Sequence, residues 1–203
     1  MTASSSISPP QPMLPHGLAG RLFGRMMERL NRSAYERAAS LLDLPPDGAF
    51  LELGFGTGRL LEMMAARHSD GFFAGIDASP LMVATAKRRL DRRHAARDLR
   101  EGSAERLPWA EDSFDAAAAL HCFQFWPDPV STLCEIQRVL RPGGTFLLVL
   151  RAYGARDREW LPNPWSRTPQ EVDDALALLK KAGFEARREW PDARTSPVIV
   201  ATV

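Results

Sequence analysis

The sequence predicts an α/β protein: a mostly parallel sheet between two layers of helices. Three observations predict it. From residue 49 onward, short apolar runs alternate with helix-forming segments of about three turns, the pattern of repeated strand–helix–strand units. Runs such as AFLEL and TFLLVL are apolar almost throughout, as strands buried on both faces are. Helical segments open on a polar cap followed by proline: Ser79-Pro80, Asp128-Pro129 and Thr168-Pro169.

Residues 1–15 read as a disordered tail. The start, MTASSSISPPQP, lacks the basic stretch and apolar core of a secretory signal. Residues 16–203 form one expected domain, with N-terminal lid helices over 16–45. Leu22, Met26 and Leu30 recur at helical spacing, as do Tyr35, Ala38, Leu41 and Leu42, with a break near Asn31. Pro45, Pro46 and Gly48 close this region.

Ala49–Leu53 is the first expected strand and RLLEMMAAR the helix after it. Phe72–Ile76 is the second strand. The helix capped by Ser79 is expected to run to about Ala96, followed by a third strand in DLREG. Phe114–Leu120 is the fourth; its alanines have poor strand propensity, so only context makes it one. A helix opens at Asp128-Pro129 and ends at Arg141-Pro142-Gly143-Gly144, before a fifth strand over Thr145–Leu150. Thr168-Pro169-Gln170-Glu171 is a capping box, and Gly183 fits the left-handed cap ending that helix. FEARREW and SPVIVATV are the last two strands, expected to pair antiparallel at one edge because no helix separates them.

Composition excludes several function classes. The chain has 203 residues, 25% charged and 45% hydrophobic, and a formal net charge of +1. That balance suits one globular domain rather than a disordered chain, and gives no electrostatic footprint for a polyanion. No apolar run approaches the roughly 20 residues of a membrane span. Cys122 and Cys134 are too few for a disulfide framework or a metal site, and read as reduced thiols that mostly pack. A cytoplasmic protein without a metal is expected.

The strongest motif is Glu52-Leu53-Gly54-Phe55-Gly56-Thr57-Gly58, where the first strand turns into a helix. Glycine there permits a tight turn and close approach of a ligand to main-chain atoms, and the helix N-terminus favours an anionic ligand group. Arg59 stands where the dinucleotide fingerprint G-x-G-x-x-G needs its third glycine, and no Gly-Lys-Ser/Thr follows, which counts against a nicotinamide cofactor and a phosphate loop. A tight turn alone is the other reading. Asp77 closes the second strand a little over 20 residues after the glycines, where an acid accepts hydrogen bonds from two ribose hydroxyls.

The chain resembles the class I S-adenosylmethionine-dependent methyltransferases of the small bacterial, small-molecule type. Four motifs carry the resemblance in order: ELGFGTG, GIDASPLMVATAK, GSAERLPWAEDSFD and EIQRVLRPGGTFLLV. It implies a Rossmann-like seven-stranded sheet in the order 3-2-1-4-5-7-6, with strand 7 antiparallel. It implies S-adenosyl-L-methionine as cofactor, its methionine part along Gly54, Phe55 and Gly56. Glu52 would help hold the ammonium, directly or through water, and Asp77 would take the ribose hydroxyls. Ala78 and Met82 would give the adenine one apolar face, and Ala104 and Glu105 its other face and edge. Relatives often carry an acid where Ser103 stands, so Glu105 would substitute in contacting the adenine amino group. The backbone near Leu120 and His121 would close the methionine side.

The activity implied is methyl transfer to an O, N or C nucleophile of a small molecule, giving S-adenosyl-L-homocysteine. An RNA or protein methyltransferase and a non-catalytic cofactor binder are the alternatives. A sulfonium methyl is already activated, so alignment supplies much of the acceleration, and a base is needed only for a protonated nucleophile. His121, after the fourth strand, is the candidate base; packing against the cofactor is its other reading. His16, in the lid region, is a weaker candidate. Phe123, Phe125, Trp126, Tyr153, Trp160 and Trp165 are candidates to line the acceptor pocket, or else core filler. The charge run Lys87–Arg100, with seven Lys or Arg residues, reads as the solvated end of a helix. No Asn-Pro-Pro-Tyr segment follows the fourth strand, which argues against adenine-N6 methylation of a nucleic acid.

Overall fold

The structure is a computed structural model, and it describes residues 17–93, 96–151, 167–189 and 196–203. The elements are α1 (Gly17–Leu30), α2 (Arg32–Leu41), β1 (Ala49–Leu53), α3 (Arg59–Arg67), β2 (Phe72–Asp77), α4 (Pro80–Leu90), β3 (Ala96–Glu101), β4 (Phe114–Leu120), α5 (Pro129–Val139), β5 (Leu140–Val149), α6 (Pro169–Lys181), β6 (Glu185–Glu189) and β7 (Val198–Thr202). They form a seven-stranded sheet in the order β3-β2-β1-β4-β5-β7-β6. The β1–β2, β1–β4, β2–β3 and β4–β5 pairs are parallel, while β7 runs antiparallel to both β5 and β6. The predicted order and the antiparallel edge are both present.

Period-2 alternation divides the core between the two faces. Phe50, Phe73, Ala116, Ala118, Leu147 and Val149 pack with residues of α2, α3 and α4. Leu51, Leu53, Ala74, Ile76, Phe146 and Leu148 pack with α5 and α6. In β4 the run Ala116–Ala119 is fully buried between β1 and β5, so pairing on both sides overrides weak propensity. Glu52 lies on the same face as Phe50, which turns its side chain toward α3 and the lid side.

The caps act as predicted. The Ser79 and Thr168 hydroxyls accept backbone N–H bonds, and the Asp128 carboxylate accepts two. The break at Asn31 also falls where expected.

Three expectations are corrected. The helix capped by Ser79 ends at Leu90, not near Ala96; Asp91–Arg93 form a 3-10 turn, and Ala96 already belongs to β3. Full-length pairing of β3 with Phe72–Asp77 outweighs the helical character of that segment. Arg97 and Arg100 of the charge run therefore lie on an edge strand, paired with Asp91 and Asp98. Arg141–Gly144 does not merely end a helix. Leu140 pairs with Phe114 and Thr145 with Ala116, so the segment is an irregularity inside a longer β5. Of the two free cysteines, Cys122 is partly buried but Cys134 is exposed on α5, so only the first packs. The tail, His16, Tyr153, Trp160 and Trp165 lie outside the described residues.

Candidate active site

Strand order reverses at β1, which has β2 on one side and β4 on the other. The carboxyl ends of these strands border the crevice that such a switch point creates.

The turn after β1 sets the floor. Gly54 and Gly56 adopt left-handed φ values of 63° and 52°. A Cβ on Gly54 would fall 2.7 Å from Cβ of Cys122, so only glycine fits against the segment after β4. A Cβ on Gly56 would meet nothing within 4 Å, so the loop presents open space there. Phe55 is only 1% exposed. Its ring belongs to the core between sheet and helices, so its backbone is the part that borders the crevice.

Asp77 ties this turn to the next. One carboxylate oxygen accepts from the Gly56 N–H at 2.8 Å and the other from the Ser79 N–H at 2.9 Å. Each oxygen keeps a lone pair for a further donor. Burial raises its pKa, and these two bonds oppose the rise. Glu52 is 1% exposed, and its Oε2 accepts from the Leu61 N–H at 3.2 Å. Burial pushes its pKa well up, and the nearby Asp77 carboxyl adds to that. Among the described residues neither acid forms an ion pair. The crevice thus holds one buried and one partly buried carboxyl, neither of them paired with a cation among the described residues.

The other predicted positions are placed as follows. Met82 is buried, and its Sδ and Cε lie close to Gly24 of α1; Ala78 is exposed. Ser103 donates to Glu105 Oε2 at 3.2 Å, and Asp128 N–H donates to Glu105 Oε1 at 2.9 Å. Glu105 is thereby held beside Ala104, both partly buried. Arg138 fastens this loop through the carbonyls of Leu107 and Trp109. The Leu120 side chain is core, so its backbone borders the site.

His121 has φ 53°, and its N–H donates to Val149 O at 2.9 Å. Its Nε2 lies 3.1 Å from the Ser196 hydroxyl. Burial, with the Arg151 charge adding to it, pushes its pKa down to about 4, so the ring is neutral at neutral pH. Ser196 also lines a cavity of about 370 Å³ bordered by Ser33, Ala34 and Arg37 of α2 and by Val149 and Val198. Of the predicted aromatics within the described residues, Phe123, Phe125 and Trp126 do not line it. Phe123 and Trp126 instead pack edge to face, 5.1 Å apart.

Several residues at the site carry no motif in the sequence. Glu28 of α1 accepts from the Thr57 hydroxyl at 2.9 Å and from both terminal nitrogens of Arg89 at 2.8 and 3.0 Å. Burial pushes its pKa up, but the Arg89 and Thr57 bonds and the Arg59 charge outweigh that and hold it below the ordinary value. This cluster fastens α1 against the glycine turn. Tyr35 of α2 is a buried phenol whose pKa is raised by burial and then by the Glu52 and Glu28 carboxylates. The Cys122 thiol donates to Leu53 O at 3.3 Å, and burial, Asp77 and Glu52 all push its pKa up. Only a carboxylate-to-arginine pattern across 61 residues could have flagged Glu28 and Arg89, and that spacing has no local signature.

The chain matches the family described as Methyltransferase domain over residues 51–148. It is 33% identical over 165 residues to a demethylmenaquinone methyltransferase of Thermus thermophilus, spanning 68% of this chain and 75% of that protein. It is 27% identical over 162 residues to the uncharacterized methyltransferase YdaC of Bacillus subtilis, spanning 80% of this chain and 85% of that one. A SAM dependent methyltransferase from Aquifex aeolicus has the same fold, with a TM-score of 0.72 at 19% identity over 83% of this chain and 89% of that one. Together with the strand order, the glycine turn and the acid after β2, these matches place the chain in the class I S-adenosylmethionine-dependent methyltransferases.

Proposed function

We propose that the chain transfers a methyl group from S-adenosylmethionine to an O, N or C nucleophile of a small molecule. The observation that carries this reading is the pair of acids, buried Glu52 and partly buried Asp77, beside an open glycine turn and with no ion pair to either among the described residues. That surrounding fits a ligand bearing an ammonium and a ribose. Glu52 holds the ammonium, and the spare lone pairs of Asp77 take the ribose hydroxyls. The Gly54–Gly56 backbone lines the methionine part. Met82, Ala78 and Ala104 flank the adenine, with Ser103 and Glu105 at its edge. When bound, the cofactor supplies an activated methyl on sulfur; the protein's part is to align the acceptor and exclude water.

The acceptor enters from the side of β5 and β7. The cavity beside Ser196 lies there, in the size range of small-molecule sites. The Thermus relative is named for a small-molecule acceptor, which supports this class. The test is turnover. Purified protein, the cofactor and a broad panel of small phenols, amines and carbon acids are expected to release S-adenosylhomocysteine with at least one acceptor. Release with RNA or a protein substrate alone contradicts the reading.

His121 borders the acceptor side, but a pKa of about 4 makes it a weak proton acceptor, since a base works best near the operating pH. We assign it to positioning Ser196 and the β4 end. His121→Asn, a residue that tolerates its positive φ, is expected to keep kcat within about threefold, and the rate to show no His121 limb between about pH 5 and 8. A loss of about 100-fold or more restores the base assignment.

A further inference from the structure

A helix that packs on a soluble core turns its large apolar residues inward. In α1 three large apolar residues depart from this rule. Gly24, beside Thr57 and Met82, and Glu28, paired with Arg89, face the body of the protein. Leu22, Met26 and Leu30 face solvent, 67%, 50% and 62% exposed. They recur every four residues, so they form one stripe along the helix. Among the described residues the only other large apolar side chain this exposed is Val130, at 52%.

Arg25 and Arg29 flank the stripe; both are exposed and neither forms an ion pair among the described residues. The one acid on α1, Glu28, is spent inward on Arg89. The helix lies against α4, whose outer side presents the exposed Lys87 and Arg88, with exposed Arg92 following in the 3-10 turn. Asp91, also exposed, is paired with Arg97. The basic run beginning at Lys87 therefore borders the apolar stripe.

An apolar stripe edged by exposed arginines, with no ion pair among the described residues, fits one partner best. Like charges oppose a second copy of the same face. RNA offers the charge but does not need three exposed aliphatic side chains. An anionic lipid surface satisfies both, with the aliphatic groups in the acyl boundary and the arginines among the headgroups. We propose that α1 docks the protein on anionic membrane surfaces through Leu22, Met26 and Leu30, aided by Arg25 and Arg29. This places α1, the helix that covers the glycine turn, at the lipid boundary. The proposal stands apart from the methyl-transfer reading, because binding is scored without turnover.

The test is co-sedimentation of the full chain with phosphatidylcholine vesicles, with and without phosphatidylglycerol. Binding to the anionic vesicles is expected to exceed that to neutral ones by at least about tenfold and to weaken with salt. Met26→Gln/Leu30→Gln and Arg25→Glu/Arg29→Glu are each expected to lose about tenfold or more, with melting temperature unchanged because all four side chains are exposed. Absence of vesicle binding overturns the proposal, as does equal binding to neutral vesicles or unaltered binding by either variant. An RNA oligonucleotide held tightly by the Met26/Leu30 variant but not by the Arg25/Arg29 variant also overturns it, as does a dimer that this Met26/Leu30 variant dissociates.

Discussion

Glu52→Gln is expected to raise the melting temperature of the cofactor-free protein at neutral pH while weakening cofactor binding by about ten- to hundredfold. Both effects have one cause. Burial raises the Glu52 pKa and the Asp77 carboxyl raises it further, with the Leu61 N–H and the Arg89 charge opposing. A carboxyl whose folded pKa is raised binds its proton more tightly in the native state than in the unfolded chain. The native state therefore loses stability as pH rises from the ordinary carboxyl range through the raised value. Glutamine keeps an acceptor for Leu61 and removes the buried charge. A gain of about 1 kcal/mol would appear as ~2–4 °C for a chain of this size. The gap between variant and wild type is expected to close as pH falls toward 4.3, the ordinary value for Glu. Melting curves from acid to neutral pH check the stability half, and calorimetric titration checks the affinity half. A variant that melts lower at neutral pH, or binds the cofactor as wild type does, contradicts this account of Glu52.

Gly54→Ala is expected to destabilise the fold by about 2–5 kcal/mol and to abolish measurable cofactor binding. Two terms add. A left-handed φ of 63° costs a residue with a Cβ about 1–2 kcal/mol. The new Cβ would also lie 2.7 Å from Cβ of Cys122, an overpacking that costs about 1–3 kcal/mol. The terms can be separated. Cys122→Gly removes the facing Cβ and Sγ, so the double variant is expected to regain the overpacking part and keep the strain. Denaturant melts of the two single variants and the double variant check this. Additive losses in the double variant contradict a direct clash.

How much of this was legible depends on the range of the signal. β1 was readable to the residue because AFLEL is apolar and ends in glycine. The caps Ser79, Asp128 and Thr168 were readable because each contacts backbone within three residues. The end of α4 was not readable. Its continuation looks helical locally, and only the ladder with β2 makes it a strand. Asp77 and the glycine turn stood out because a bend and an acid must sit at fixed points of a βαβ unit. Phe55 shows the limit of that reading: the motif located its backbone, but burial of its ring depends on how the turn packs on the sheet. Glu28, Tyr35 and Cys122 reach the site from distant segments. Glu28 meets Thr57 across 29 residues, and Cys122 meets Leu53 across 69. No local periodicity encodes such contacts.

The central claim is that the acid after β2 holds the ribose of the cofactor. Titration calorimetry of S-adenosylmethionine into wild type and Asp77→Asn tests it most directly. The asparagine side chain retains one acceptor oxygen, while its NH₂ cannot accept from the Gly56 N–H or a ribose hydroxyl. The account predicts binding by wild type and a loss of about tenfold or more in the variant, with circular dichroism confirming that it is folded. Equal affinity of the two proteins contradicts the account.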